Sequence, residues 1–190
     1  MENYTVCVLV PNEENAAAVQ SLREQALKGS DAQYLSSHLF AISFAEECGG
    51  QSGFSDKERS ERINDLLAAW KQVSQKIALY GIYYQNTALI GMCIAQATDD
   101  TEVVYWSSFY VDRSHRGKRL ASKMWGFRKE DCERKSYKKA IIKVHPSNKG
   151  VLQFYEENGA RKTGETHNIT FADSSTGSLH TLELTAWGSQ

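Results

Sequence analysis

Two stretches of this 190-residue chain carry residue types and spacings that can do chemistry together. The first is Phe109-Tyr110-Val111, read as the end of a strand. It passes through Asp112-Arg113-Ser114-His115 into Arg116-Gly117-Lys118-Arg119-Leu120-Ala121-Ser122 and a long helix. A strand that feeds a basic, glycine-containing turn and then a helix leaves unbonded backbone N–H groups at the helix start. That end carries positive partial charge and suits a phosphate. The second stretch is Asn148-x-x-Val151-x-x-Phe154-Tyr155-x-x-x-Gly159, which sets an amide and a phenol seven residues apart on the next helix.

The elements that must position these groups follow from local signals. Tyr4 to Val10 reads as a first strand that leaves at Pro11, and Asn12 caps a helix carrying Val19, Leu22 and Leu27. Gly29 to Gly53 mixes helical signals (Ala32 to Glu47) with loop signals, and Gly49-Gly50-Gln51-Ser52-Gly53 reads as a loop. Ser55-x-x-Glu58 is a capping box opening a helix whose Ile63, Leu66, Leu67, Trp70 and Val73 share a face. Three strands follow, at Lys76 to Tyr84, Ala88 to Ala97 and Glu102 to Val111, the first two joined by the turn Gln85-Asn86-Thr87. A helix is expected from Arg116 to about Lys135, with Leu120, Met124 and Phe127 on one face. Next come a short strand at Ala140 to Val144, a helix capped by Ser147 and ended by Gly159, and two strands near Ala160 to Phe171 and Leu179 to Trp187. The order predicts an α+β fold: a single mixed, largely antiparallel sheet of six or seven strands flanked by helices, as one domain over residues 1–190.

Composition excludes several classes. With 41% hydrophobic and 24% charged residues, disorder is not expected. No apolar run approaches the roughly 20 residues of a membrane helix, and the first ten residues do not read as a signal peptide. Cys7, Cys48, Cys93 and Cys132 lie far apart, without metal or redox spacing, and read as reduced thiols of a cytoplasmic protein; no metal site is expected. The formal net charge is −1, yet Asp112 to Lys139 holds eleven Lys or Arg against four Asp or Glu. This basic stretch admits nucleic acid as a ligand, but no aromatic-basic interleaving accompanies it. A basic helix start that meets phosphates explains it better.

On these residues the chain resembles the GNAT superfamily of acetyl-CoA-dependent N-acetyltransferases. The likeness rests on the helix pair before the three-strand meander, the Phe-Tyr-Val strand end, the Arg-Gly-x-x-Leu-Ala turn and the Asn-x-x-Val-x-x-Phe-Tyr helix. It implies a GNAT-like acyltransferase fold and acetyl-CoA as co-substrate, with no metal. The coenzyme would sit where the strand ending at Val111 splays from the strand near Ile141 to Val144. Backbone groups of Phe109, Tyr110 and Val111 would hold the acetyl and pantetheine part. Arg116, Gly117, Lys118, Arg119, Leu120, Ala121 and Ser122 would cradle the diphosphate. Arg116 and Ala121 match the ends of the family's Gln/Arg-x-x-Gly-x-Gly/Ala signature, while Arg119 stands where the family has glycine.

The resemblance also implies that Asn148 contacts the coenzyme and that Tyr155 protonates the departing thiolate. The general base stays open between Glu102, acting through water, and His145, with Tyr105 and Ser107 nearer the gap. Lys143 stands five residues before Asn148, where family members that acetylate protein N-termini often carry an acid. The acceptor is expected to be a primary amine, of a small molecule or a protein, with Tyr34, Phe40, Phe44 and Trp70 as pocket candidates. A homodimer is common in the family and is carried as an expectation here. The alternative function is a CoA-binding sensor or interaction module without turnover.

Overall fold

The computed structural model describes residues 3–28, 38–39, 42–43, 55–170 and 176–185. The strands are β1 (Tyr4–Leu9), β2 (His38–Leu39), β3 (Ile42–Ser43), β4 (Ile77–Tyr84), β5 (Ala88–Ala97), β6 (Val103–Val111), β7 (Lys139–Val144), β8 (Arg161–Thr170) and β9 (Thr176–Leu184). The helices are α1 (Glu13–Lys28), α2 (Asp56–Val73), α3 (Leu120–Arg134) and α4 (Lys149–Glu157), with a 3-10 turn at Arg113–His115 before α3. Seven strands form one sheet in the order β1-β4-β5-β6-β7-β9-β8, while β2 and β3 pair only with each other. All neighbours are antiparallel except β6 and β7, which run parallel because α3 carries the chain back between them. This is the α+β fold expected, with seven strands. Among the described residues no helix is long and apolar enough to cross a membrane.

Local chemistry accounts for most boundaries. The Ser55 hydroxyl accepts from the Glu58 N–H (3.3 Å) and the Glu58 carboxylate accepts from the Ser55 N–H (2.8 Å), so the capping box forms. Asn12 accepts from the Asn15 N–H (2.8 Å) at the head of α1. Gly159 takes φ +91° just past α4, the left-handed exit expected of it. Two starts differ from expectation. α3 begins at Leu120 rather than Arg116, because Gly117 (φ +78°) and Arg119 (φ +57°) are both left-handed. The cap of α4 is Asn148, not Ser147, whose hydroxyl instead faces the His145 ring.

The core lies on both faces of the sheet. On one face, Val19 and Leu22 of α1 and Leu66 and Trp70 of α2 meet Leu79, Met92 and Ile94. The Glu24 carboxylate pairs with the Arg59 guanidinium and ties α1 to α2. On the other face, Leu120, Met124 and Trp125 of α3 and Leu152 and Tyr155 of α4 meet Cys93, Trp106 and Ile142.

β6 changes phase partway along. Val104 and Trp106 face α3 and α4, but so do Phe109 and Val111. The switch is a β-bulge: Met92 pairs Tyr110 and Ile94 pairs Ser107, so Ser108 and Phe109 together oppose Cys93 alone. Ser108 absorbs the extra residue in a left-handed conformation, φ +52°.

Candidate active site

The parallel pairing of β6 with β7 runs from Val103–Lys139 to Trp106–Ile142, and no pair follows it. Beyond that rung β6 stays with β5 up to Val111, while β7 stays with β9 up to Val144–His180. The sheet therefore opens like a wedge, with the bulge at its throat. A cavity of about 670 Å³ fills the opening. Its floor and walls are Trp106, Phe109, Val144 and Tyr155, and one end reaches the start of α3.

At that end, the first helical bond runs from the Lys123 N–H to the Arg119 carbonyl (3.1 Å). The N–H groups of Leu120, Ala121 and Ser122 precede it, and no side chain caps the helix. Among the described residues nothing lies within 4 Å of the place a Cβ would occupy on Gly117, and the glycine serves the turn's positive φ. Upstream, the Asp112 carboxylate accepts from the Ser114 N–H (2.8 Å) and hydroxyl (2.5 Å) and fixes the 3-10 turn. Burial raises the Asp112 pKa, but the two Ser114 bonds, with His115 and a Gln25 hydrogen bond adding to them, hold it below the ordinary aspartate value. The Arg116 Nε donates to the Val111 carbonyl (2.9 Å), and its guanidinium lies 5.6 Å from the Tyr110 ring centre. That side chain therefore locks the end of β6 to the turn.

Along the wall, Asn148 caps α4 by accepting from the Val151 N–H (3.4 Å) and also lines the cavity. Tyr155 is 5% exposed, tilted on Trp125 (ring centres 5.6 Å apart) and edge-on to Phe109 (6.3 Å). Its hydroxyl makes no hydrogen bond among the described residues, and the residue lines the cavity. Burial pushes its pKa up to about 12, against the pull of the Arg128 charge and with the Cys93 and Tyr105 groups adding to the rise.

The structure thus brings together Phe109, Tyr110, Val111, Arg116, Gly117 and Arg119. With them stand Leu120, Ala121, Ser122, Asn148, His145 and Tyr155, all around one cavity. Lys118 is not among the lining residues; its ammonium turns outward to the Tyr4 hydroxyl (2.9 Å). Glu102 is exposed in the turn before β6, at the paired end of the parallel strands and away from the wedge. Its backbone carbonyl accepts from the Lys138 N–H (2.7 Å). Trp70 is 1% exposed in the core beneath α1 and does not line the cavity. Tyr34, Phe40, Phe44 and Cys48 lie outside the described residues. Of the Ala32 to Glu47 stretch expected to carry helical signals, His38–Leu39 and Ile42–Ser43 are instead strands, held by pairing with each other, and the rest lies outside the described residues.

His145 lines the cavity, but its Nδ1 accepts from the Ser147 N–H (3.2 Å) and meets the Ser147 hydroxyl (2.7 Å). A neutral ring bonded in this way carries its proton on Nε2, so it presents a donor rather than a base. No Asp or Glu is found among the described residues that line the cavity. The charged side chains there are Arg23 of α1, Arg116, Arg119 and Lys143. The Lys143 ammonium stands 5.4 Å from the Tyr105 ring centre.

Sequence reasoning missed Arg23, a buried arginine on the face of α1 that carries Ala16, Val19 and Ala26. It also missed Ser108 and Arg128. Neither announces itself in sequence, since serine is an unusual choice for a left-handed position and Arg128 sits in a run of surface-type charges. Among the described residues no group of three His, Cys, Asp or Glu is placed to hold a metal ion.

The model of the Acetyltransferase (GNAT) family matches residues 45–160. No curated protein matches the sequence. Solved structures do. A single-site variant of the spermidine N-acetyltransferase SpeG from Vibrio cholerae aligns with a TM-score of 0.70 at 12% identity, over 96% of this chain and 93% of that one. YncA from Salmonella typhimurium, solved with acetyl-CoA as its cofactor, aligns at 0.66 and 13% identity, over 99% and 96%. The PaiA N-acetyltransferase from Thermoplasma acidophilum, in complex with coenzyme A, aligns at 0.62 and 13% identity, over 97% and 99%. At these identities the likeness is one of fold.

Proposed function

The chain belongs to the acetyltransferase (GNAT) family, and on that premise we propose that it transfers an acetyl group from acetyl-CoA to a primary amine by direct attack in a ternary complex. The observation that carries this reading is the parting of β6 from β7 after Trp106–Ile142, with amide nitrogens at one end of the opening and the Tyr155 phenol on its wall.

The chain's own groups have distinct tasks in this scheme. The N–H groups of Leu120, Ala121 and Ser122 and the Arg119 side chain meet the diphosphate. A backbone N–H of the bulged stretch, at Phe109 or Val111, donates to the oxyanion that forms on the acetyl carbonyl. The Tyr155 hydroxyl protonates the departing sulfur. The proton of the attacking amine leaves through water, a reading supported by the occupied Nδ1 of His145. Holding both reactants in line removes the need for a covalent acyl-enzyme.

The test has two arms. Isothermal calorimetry should detect coenzyme A binding at the wild-type site. Thiol-release assays against polyamines, aminoglycosides, amino acids and peptides should then identify the acceptor class. Binding without thiol release from any of them would favour the non-catalytic sensor, and no heat with the coenzyme would end the reading altogether.

Arg119 offers a separate check. It is exposed and left-handed, a conformation costing a non-glycine residue about 1–2 kcal/mol. Arg119→Gly relieves that strain but gives the unfolded chain back a similar amount of freedom, roughly 0.5–1 kcal/mol. The melting temperature should therefore move little. Coenzyme affinity should fall, and the deficit relative to wild type should shrink as salt screens the lost charge. An affinity equal to wild type at low salt would remove Arg119 from the diphosphate site.

A further inference from the structure

One charged group beneath the wedge has no role in the scheme above. Arg128, on the inner face of α3, is 1% exposed. Its guanidinium carbon stacks 3.8 Å from the Trp106 ring centre and stands 5.2 Å from that of Phe109 and 5.5 Å from that of Trp125. Trp106 and Phe109 also line the cavity. The cation is thus separated from the wedge by a single layer of rings. Its Nε and Nη2 have no hydrogen-bond partner among the described residues, and it forms no ion pair there.

The groups around it do not neutralise it. From β5 comes Cys93, whose thiol burial pushes up to about 11 even with the guanidinium against it. From α3 itself comes Cys132, also raised by burial. Tyr80 on β4, Tyr105 on β6 and Tyr155 on α4 are raised as well, each mainly by burial. All five are uncharged at neutral pH. Asp131 is ionised, but it is engaged by the Tyr80 hydroxyl (2.7 Å), Lys135 (2.7 Å) and Arg134 (3.0 Å). A buried cation without a counter-ion is costly, and stacking on rings offsets only part of that cost.

We infer that the Arg128 guanidinium is a positioning charge, fixed one ring-layer beneath the parted strands, that stabilises the negative charge developing on the coenzyme's sulfur. The inference rests on the acetyl-CoA reading and deepens it. As the amine nitrogen bonds to the acetyl carbon, the electron pair of the breaking C–S bond passes to sulfur. The amine's proton goes to water and the Tyr155 proton goes to the thiolate. The cation takes no part in bonding. It sits in a low-dielectric layer, already oriented, where a charge acts over more than contact distance. Stacking on Trp106 alone would explain the geometry, but it would predict that removing the charge destabilises the fold and leaves the sulfur untouched.

The two explanations separate without knowledge of the acceptor. Calorimetry would compare coenzyme A with desulfo-coenzyme A, which lacks the thiol, from pH 7 to pH 10. If the guanidinium favours thiolate, the bound thiol ionises at lower pH than the free one. The affinity ratio of the two ligands then rises with pH, by about ten-fold for a shift of about one unit. That rise should persist in Arg128→Lys and be absent in Arg128→Met, whose melting temperature should equal or exceed that of wild type. Arg128→Gln is a second neutral variant should the methionine not fold. An equal rise in the neutral variants, a flat ratio in wild type, or a lysine variant as flat as methionine would each overturn the inference. If wild type binds neither ligand, the acetyl-CoA reading fails first and is seen to fail.

Discussion

Replacing Tyr155 by phenylalanine should lower thiol release by about 10²–10⁴-fold, the range for loss of a positioned acid, with coenzyme affinity little changed. The substitution is conservative in packing. Phenylalanine keeps the ring against Trp125, Phe109 and Phe154, and the hydroxyl it removes has no protein partner among the described residues. A rate equal to wild type would move the acid elsewhere.

The same residue should mark the alkaline limit of stability. The unfolded phenol titrates near 10 and the folded one at about 12, so the folded state holds its proton longer. The protonated hydroxyl therefore contributes stability that is whole below pH 10 and lost as pH rises through 12. At about 1.4 kcal/mol per unit, the loss is roughly 2–3 kcal/mol. Urea unfolding of wild type and Tyr155→Phe should diverge across that interval, wild type falling faster. Tyr80, raised by burial in both proteins, contributes equally to each and cancels. Parallel curves from pH 10 to 12 would show that Tyr155 is not buried as described.

Trp70→Ala should cost about 3–5 kcal/mol of folding stability, the range for deleting a buried aromatic, and should leave acceptor KM unchanged in whatever folded fraction remains. This differs from the expectation that Trp70 shapes the acceptor pocket. Its ring fills the space between α1, α2 and the sheet, among Val19, Leu22, Leu66, Leu79 and Met92. Collapse of helices around so large a void is incomplete, which is why the penalty exceeds simple transfer of the side chain. Chemical denaturation measures it directly. A variant of native stability with a raised KM would restore Trp70 to the pocket.

The elements that sequence made legible are those whose determinants are local. Ser55 with Glu58 and Gly159 each declare a helix end through bonds or dihedrals that involve only near neighbours. The phosphate-type turn and the Asn148–Tyr155 helix were legible for the same reason. Ser147 was expected to cap α4, but its hydroxyl engages the His145 ring and the cap is Asn148.

The site's finer geometry was set by non-local terms. Alternation through Trp106 gave no hint that Ser108 would insert an extra residue and turn Phe109 onto the face of Trp106, because the bulge is defined against β5. Glu102 looked like the acid of its strand, yet the wedge opens at the other end of β6. Trp70 shares its helical face with Leu66, a periodicity that announces burial without saying in which cluster. Arg128 follows the spacing of the buried face through Leu120, Met124 and Trp125, but its residue type speaks for solvent. Only its position in the fold shows a buried cation stacked on rings, with Nε and Nη2 unbonded among the described residues.

The parted strands have one more consequence. Wherever a sheet ends, its main chain offers amides and carbonyls to any extended neighbour, and on an outer rim that invites unwanted self-association. Here two such margins face each other across a cavity of about 670 Å³. A slender ligand with amides of its own would meet main-chain partners on both sides there.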